Sequence, residues 1–368
     1  MADRFWILGT GSWSDTAHWS TSSGGSGGAN VPTSSDDVFI DANSGFGGGG
    51  TITITSGSVC KNFTATSGHS YILDGTTYEL LIYGSLTLEG GLSTIGTFWF
   101  DFYSEASETI TVNGATIDGR FEFYGTGTWT MQDDVILGNQ FKHFNGTFDA
   151  NGHNITANSF NIQATAENTP IVMMGTGIWE ATGYGISGLG AWRVTDNAGT
   201  VSLNAESSTI KISDSSSYAK YFNGGNKVYN NIWFTGNGTG DFQIVNSNTF
   251  NDFKVDTPPH NVWFQGGTQI VNSFSVSGED GKLIYLNNSA VGQFILSKSS
   301  GIVSCDYLDI ANSNAIGGAT WYAGNHSLDT TNNDGWIFEK RENINEALTI
   351  SEAVGKLLSK WLGKDYPK

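Results

Sequence analysis

Short runs of alternating apolar and polar residues recur along the chain from Thr51 to Phe338 without a strict period. Examples are "TITIT", "LLIYGSLTL", "TFWFDFY", "RFEFYG", "GTWTM", "STIKIS", "NVWFQGG" and "KLIYLNN". Such alternation is typical of a strand with one buried face. Turn signals such as Asn113-Gly114, Asn145-Gly146 and Asn151-Gly152 separate the runs. The pattern predicts an all-β fold of many short strands.

Two architectures satisfy this pattern, a series of antiparallel sandwich or jelly-roll modules and a solenoid. The runs recur about every 20–25 residues over nearly the whole chain, which favours the solenoid because one turn cannot bury its own apolar face. We predict a right-handed parallel β-helix of about a dozen turns. The Ile, Val, Leu and Phe residues of each run would point inward, and asparagines at the turns would form ladders along the stack.

The chain divides into three predicted parts: an N-terminal cap at 1–50, the solenoid body at 51–338 and a tail at 339–368. The opening "MADRFWILGTGSWSDTAHWS" contains Trp6, Trp13 and Trp19 and leads into a glycine-rich segment. A solenoid exposes strand edges at its ends, so a cap protects it from aggregation. We predict that the three tryptophans mainly pack this cap; sugar binding is the alternative.

The tail, "EKRENINEALTISEAVGKLLSKWLGKDYPK", is the one clear helix. Thr349 and Glu352 have the spacing of a capping box. An apolar stripe at helical spacing follows, consisting of Ile350, Val354, Leu357, Leu358, Trp361 and Leu362. Because a helix this short is marginal alone in water, it must pack on something. We predict that the stripe is the interface of a homo-oligomer, most simply a trimer; docking onto the body is the alternative.

Net charge excludes some partners. With 17 basic and 35 acidic side chains, the formal net charge is −18. This field repels nucleic acid and anionic membranes. The apolar runs are too short and too often interrupted for a transmembrane helix. We expect no nucleic-acid partner and no membrane insertion.

No metal or cofactor is expected from the ligand-forming residues. Cys60 and Cys305 are far apart and are predicted to be buried free thiols, with a single disulfide as the alternative. The six histidines lack metal-ligand spacing. The segment "DTTNNDG" (329–335) faintly resembles a calcium loop, but the first ligand position is Thr330. A turn is the better interpretation.

Catalysis of glycan cleavage would need two carboxylates on either side of the scissile bond. Three acid pairs are adjacent in sequence: Asp36 with Asp37, Asp133 with Asp134, and Glu279 with Asp280. Neighbours in a strand face opposite sides, so these pairs should not converge. The turns could still bring together Asp101, Glu122 and Asp149, which the sequence leaves open. Arg120 and Arg193 are the body's only arginines, which weighs against a lyase. We predict that the protein is not an enzyme.

Aromatic residues in a loop-like segment are the remaining candidates for ligand binding. Trp321, Tyr322 and His326 lie in "ATWYAGNHS". Aromatic rings can stack on sugars and bury much area for little lost entropy. We consider them a candidate glycan site; the alternative is that they fold back and close the last turn.

Long stretches of the sequence resemble a known group of proteins. The segments "AKYFNGGNKVYNNIWFTGNGTGDFQIVNSNTFNDFKVDTPPHNVWFQGGTQIVNSFSVSG", "SGIVSCDYLDIANSNAIGGATWYAGNHSLDTTNNDGWIF" and "GTFDANGHNITANSFNI", with the opening "RFWILGTGSWSDTAHWS", are similar to structural proteins of tailed bacteriophages and to large surface proteins of uncultivated bacteria. The resemblance covers most of residues 4–338. It implies a β-solenoid on the outside of a virion or cell and supplies no catalytic residue.

The start of the chain bears on where such a protein works. Only Phe5 to Leu8 are apolar before Gly9, too short a run for a secretory signal. A phage protein needs none, because it assembles in the host cytoplasm and leaves by lysis. We therefore expect a virion surface protein, a tail fibre, spike or decoration component that contacts other virion proteins and attaches to host-surface glycans. A glycan-degrading tailspike enzyme and a bacterial adhesin are the alternatives.

Overall fold

Parallel pairing of strands from successive turns organises the chain. A computed structural model describes residues 2–76, 78–185 and 190–339. Phe100 aligns with Phe121, and Phe121 aligns with Phe141, each about one turn of 20 residues further along. Within the described residues, the pair β1 and β3 is antiparallel and every other pair of named strands is parallel. The strands are numbered below in chain order.

The strands form three faces that the chain visits in rotation. Face 1 is a ten-stranded sheet. Its strands are β1 (Asp3–Trp6), β3 (Trp19–Ser20), β4 (Asp37–Ile40), β7 (Phe63–Ala65), β10 (Leu86–Thr87), β13 (Ser107–Thr111), β15 (Thr128–Met131), β18 (Thr147–Asp149), β21 (Ile171–Met173) and β24 (Ser202–Asn204).

Face 2 consists of a four-stranded and a nine-stranded sheet. The first contains β2 (Gly11–Ser12), β5 (Thr51–Thr53), β8 (Tyr71–Asp74) and β11 (Leu92–Ile95). The second contains β16 (Val135–Ile136), β19 (Ile155–Ala157), β22 (Ile178–Ala181), β25 (Thr209–Ile212), β27 (Val228–Phe234), β29 (Asn248–Val255), β31 (Thr268–Val276), β33 (Phe294–Lys298) and β36 (Ser313–Gly317).

Face 3 is a thirteen-stranded sheet, and a three-stranded sheet lies near the C-terminal end. Face 3 contains β6 (Val59–Cys60), β9 (Glu79–Ile82), β12 (Trp99–Phe102), β14 (Arg120–Phe123), β17 (Gln140–His143), β20 (Ser159–Ala164), β23 (Trp192–Asp196), β26 (Lys220–Asn223), β28 (Phe242–Val245), β30 (His260–Gln265), β32 (Ile284–Asn288), β35 (Leu308–Ala311) and β38 (Leu328–Thr331). The small sheet contains β34 (Ile302–Ser304), β37 (Thr320–Tyr322) and β39 (Trp336–Ile337).

The fold is therefore an all-β parallel solenoid of about 14 turns, which confirms the predicted class. A 3₁₀ helix at Thr16–His18 is the one helix among the described residues. No helix in this part of the chain has the length and hydrophobicity needed to cross a membrane.

The N-terminal segment is built into the solenoid. β1 pairs in parallel with β4, and β4 pairs with β7, so face 1 runs past residue 50 without a break. Trp6 and Trp19 meet edge to face at 5.0 Å, and Trp13 meets Trp19 at 4.8 Å. All three are buried, and the Trp6 indole donates to the carbonyl oxygen of Gly9. Their ring faces are used in packing and are not open to a sugar.

Aromatic side chains fill the interior. Phe123 stacks on Phe102 with ring centroids 4.6 Å apart and packs on Phe148 at 5.1 Å and on Phe141 at 5.4 Å. All four are fully buried. Phe102 and Phe123 are aligned on successive turns of face 3, whereas Phe148 reaches the same cluster from face 1.

Asparagine ladders run along the solenoid, as the sequence predicted. Asn312 donates its amide to Asn287 at 3.1 Å, and Asn332 donates to Asn312 at 3.1 Å. Asn312 and Asn332 both have positive φ, a conformation that asparagine tolerates better than most residues. A second ladder joins Asn231, Asn251 and Asn272. Each ladder links three turns through side chains as well as through the backbone.

The cysteines are free and buried, which confirms that prediction. Burial raises the pKa of the Cys60 thiol and, at Cys305, raises the pKa to about 12. Neither thiol is poised to react at neutral pH.

Truncating the aromatic core should destabilise the solenoid strongly. Phe123→Ala removes a ring that packs on several other buried rings, so we expect the free energy of unfolding to fall by about 3–5 kcal/mol. Denaturant unfolding would measure it. Val291→Ala, at a fully exposed position, should change stability by about 0.5 kcal/mol or less. Equal effects of the two substitutions would contradict the packing described above.

Candidate functional site

The predicted aromatic site at the C-terminal end is divided between the core and the surface. Trp321 lies in β37 with 1% of its surface exposed, and its ring packs on Phe274 and Trp336. It has no free face for a sugar, so its assignment to a glycan site is wrong. The indole folds inward and closes a terminal turn, which was the alternative interpretation of this segment.

The other two members of that site remain accessible. Tyr322 is half-buried, and His326 is about half exposed. The His326 ring stacks on Tyr307 at 4.6 Å and its Nδ1 lies 2.8 Å from Asp306 Oδ2. These contacts occupy one ring face and one ring nitrogen. Neither side chain lines any of the cavities described below.

The predicted oligomer interface, from Ile350 to Leu362, lies outside the described residues. The trimer and the tail helix therefore remain predictions.

Two of the three distant acids are brought together. Asp101 on β12 aligns with Glu122 on β14, one turn apart on the outer side of face 3. Asp149 lies on β18 of face 1 and does not join them. The sequence could not choose among the three because their alignment depends on the length of each turn.

Glu122 is held by a dense network. Its Oε1 accepts from Lys142 Nζ at 3.0 Å and forms an ion pair with Arg120. Its Oε2 accepts from the Tyr124 hydroxyl at 2.5 Å. The Arg120 guanidinium lies 3.7 Å from the centroid of the Trp99 ring. Two cations and a hydroxyl thus surround the Glu122 carboxylate with charge-assisted contacts.

Asp101 has the opposite environment. Burial raises its pKa to about 7, and the neighbouring negative charges of Glu122 and Glu79 act in the same direction. Its Oδ1 is buried and has no hydrogen-bond partner among the described residues. A carboxyl group with a raised pKa beside a second carboxylate is the pattern of an acid–base pair. However, Asp101 and Glu122 are only 7% and 3% exposed, so a substrate cannot reach them.

An aromatic ladder covers the same surface. Tyr83, Tyr103, Tyr124 and Phe144 follow one another on successive turns, with ring centroids 5.5, 5.2 and 5.1 Å apart. The interplanar angles of 22°, 15° and 21° show that each ring lies face to face with the next. Faces used in this way cannot stack on sugars, so this ladder is structural.

Asp101 and the buried His143 should give opposite pH dependences of stability. Burial lowers the pKa of His143 to about 4, so its contribution is present above pH 6.5 and is lost as the pH falls toward 4. The raised pKa of Asp101 means that its contribution is present below its ordinary pKa of about 4 and is lost as the pH rises through 7. Each effect corresponds to about 3–4 kcal/mol.

Single substitutions should separate the two effects. Relative to the parent protein, Asp101→Asn should gain stability as the pH rises from 4.5 to 6.5, and His143→Gln should lose stability over the same range. Thermal midpoints at three pH values would measure this. Parallel curves for the parent and both variants would show that neither group titrates in this way.

The accessible cavity lies on face 2, where its strand ladder is interrupted. Between the two sheets of this face, residues 116 and 117 form only isolated bridges, Ser93 with Thr116 and Ile117 with Leu137. The turns Asn113-Gly114 and Asp118-Gly119 leave only three residues between them, too few for a strand of ordinary length. The gap follows from this close spacing of turns.

A cavity of about 370 Å³ occupies the gap. It is lined by Val112, Gly114, Ala115, Thr116, Ile117, Asp118, Asp134, Ile136 and Gly138. A second cavity of about 220 Å³ adjoins it along the solenoid and shares Asp134 and Ile136; its other lining residues are Val135, Asn154, Thr156, Ile178 and Glu180. We call the two together the face-2 groove.

The groove combines apolar walls with carboxylates. Ile136 is 68% exposed, so its side chain presents apolar surface to both cavities of the groove. Asp118 and Asp134 come from successive turns and line the same cavity. Sequence reasoning missed Asp118 and dismissed Asp134 as half of an adjacent pair. The only available signal was the crowding of two turns around "GATI".

Another groove, of about 480 Å³, lies where face 1 ends at β24. Asn204, Asn230, Asn251 and Asn272 line it. The amides of Asn251 and Asn272 are already engaged in the asparagine ladder. The face-2 groove combines two carboxylates with an apolar wall and is the better candidate for a ligand site.

Metal ligation finds no support in the described part of the chain, where no group of three or more His, Cys, Asp or Glu side chains is placed to hold an ion. The segment at 329–335 contains β38 and a turn: Asn333 donates to Asp329, and Gly335 has positive φ.

Comparisons of the chain with family models, with curated proteins and with solved structures find no match.

Proposed function

We propose that the protein is a structural component of a virion surface, a fibre, spike or decoration element of a tailed phage, and that it attaches the particle to host-surface glycans. The face-2 groove is the observation that carries the attachment role. Its size falls in the usual range of ligand sites, and apolar walls with a few polar groups suit the carbon faces and hydroxyls of a sugar. A bacterial adhesin could use the same groove.

The shape of the molecule supports a role as a spacer. Thirteen strands of face 3 at about 4.8 Å each give a length of about 60 Å. A filled aromatic core and continuous backbone ladders make such a rod stiff.

In this proposal the coil is right-handed, as parallel crossover connections nearly always are. Residues 1–50 close one end, and the stripe of residues 350–362 holds a trimer beside other virion proteins.

The groove's charge defines the glycans it should accept. Asp118, Asp134 and Glu180 line it, and no Lys or Arg does. A uronate or a sialylated chain would be repelled, whereas carboxylates accept hydrogen bonds from the hydroxyls of uncharged sugars. The ligand should therefore be a neutral or basic glycan.

Binding to an array of bacterial surface glycans tests this proposal. We expect binding to neutral or basic chains and none to uronate-rich chains. Ile136→Ser should weaken binding about tenfold, because it removes about 1.4 kcal/mol of apolar contact. Ile302→Ser is the matched control, an exposed isoleucine outside the groove, and should bind as the parent does. Equal loss in both variants, or preference for acidic chains, would refute the groove as the site.

We also expect that bound glycan is not cleaved. Asp101 and Glu122, the acids that align on face 3, are covered by neighbouring side chains. Incubation with each bound polysaccharide should release no reducing ends. Release that disappears in Asp101→Asn or Glu122→Gln would overturn the non-enzymatic role, and release that disappears in Asp118→Asn would place a catalytic site in the groove.

A further inference from the structure

The larger cavity of the face-2 groove holds an unbalanced negative charge. Among the described residues, the Asp118 carboxylate accepts no hydrogen bond and forms no ion pair. Asp134 accepts two hydrogen bonds from Asn154, each of 2.8 Å, and its nearest basic group is His153 Nδ1 at 3.4 Å. Two carboxylates lie in this cavity, with at most one imidazole beside them. They repel an anionic ligand and attract a cationic one.

Asp134 stays ionised in the physiological range. The backbone hydrogen bond from Asn154 holds its pKa below the usual value, and the amide of the same residue and the nearby His153 act in the same direction. Its side chain is 58% exposed, so a ligand can reach it. The negative charge is therefore available at the surface of the cavity.

The unpaired negative charge of the first cavity does not extend to the part of the second cavity that Glu180 lines. Glu180 is paired with Lys211 at 3.0 Å and accepts from the Ser213 hydroxyl at 2.6 Å. Its charge is balanced within the protein, so the unmatched charge is confined to the first cavity. An elongated ligand would place its cationic group beside Asp118 and Asp134 and a neutral part beside Glu180.

The walls distinguish an organic cation from a metal ion. Val112, Ala115, Ile117 and Ile136 line the same cavity as the two carboxylates. A hydrated metal ion gains nothing from apolar walls and prefers a shell of oxygen ligands. A ligand with carbon faces and a positively charged nitrogen uses both the walls and the carboxylates.

We propose that the face-2 groove binds a glycan containing a sugar with a free primary ammonium group, that is, a hexosamine unit without its N-acetyl group. The ammonium donates to Asp118 and Asp134, and the ring rests on the apolar wall around Ile136. This inference rests on the proposed glycan-binding role and narrows its ligand.

Isothermal titration of the full chain tests the inference with two probes, a β-1,4-linked glucosamine tetramer and its fully N-acetylated counterpart. At pH 6 we expect the cationic tetramer to bind at least tenfold more tightly, and its affinity to fall with added salt because the attraction is screened. Asp118→Asn should remove the preference. Asp252→Asn, an equal change of charge on the same face but outside the groove lining, should retain it.

Two further results decide the alternatives. Spermidine carries ammonium groups without a sugar ring; if it binds as tightly as the cationic tetramer, the sugar assignment fails. Equal binding of the two tetramers also overturns the inference, but if that binding is lost in Ile136→Ser the groove still serves as a neutral glycan site. Absence of binding to either tetramer and to every glycan on the array overturns both proposals. Thermal midpoints of the variants confirm that each is folded.

Discussion

Parallel register is the constraint on which the rest of the structure depends. Because each strand aligns with its counterpart one turn later, residues at equivalent positions form columns. Neighbouring residues within a column lie about 4.8 Å apart. A column of phenylalanines makes a core, as at Phe100, Phe121 and Phe141. A column of asparagines makes a ladder, and a column with Asp101 beside Glu122 creates an electrostatic cost that Arg120 and Lys142, both paired with Glu122, offset in part.

The same rule explains why binding is expected in an interruption of the pattern. Where columns continue, outward side chains pack on one another and leave little free surface, as in the aromatic ladder from Tyr83 to Phe144. At residues 114–119 the column on face 2 is broken, and side chains on either side of the gap line a cavity. Regular stacking supplies stability, and a local defect supplies a site.

The sequence predicted the class of fold well because alternation is a local property. The strands, the asparagine ladders and the buried cysteines could all be inferred from short segments. The candidate site could not, because it depends on which residues of different turns align. Asp118 and Asp134 are 16 residues apart rather than one full turn, and turn length cannot be derived from alternation. Trp321 was misjudged because a segment that reads as a loop contains a short strand, β37.

The antiparallel strand β3 has a consequence for assembly. The edge of a parallel sheet is a template on which another copy could add turns without limit. At the N-terminal end of face 1 this template is covered by β3, which is only two residues long and runs in the opposite direction. An incoming chain would find two residues to pair with and the wrong polarity for continuing the coil. The N-terminal end of face 1 thus offers no full parallel edge on which another copy could continue the coil.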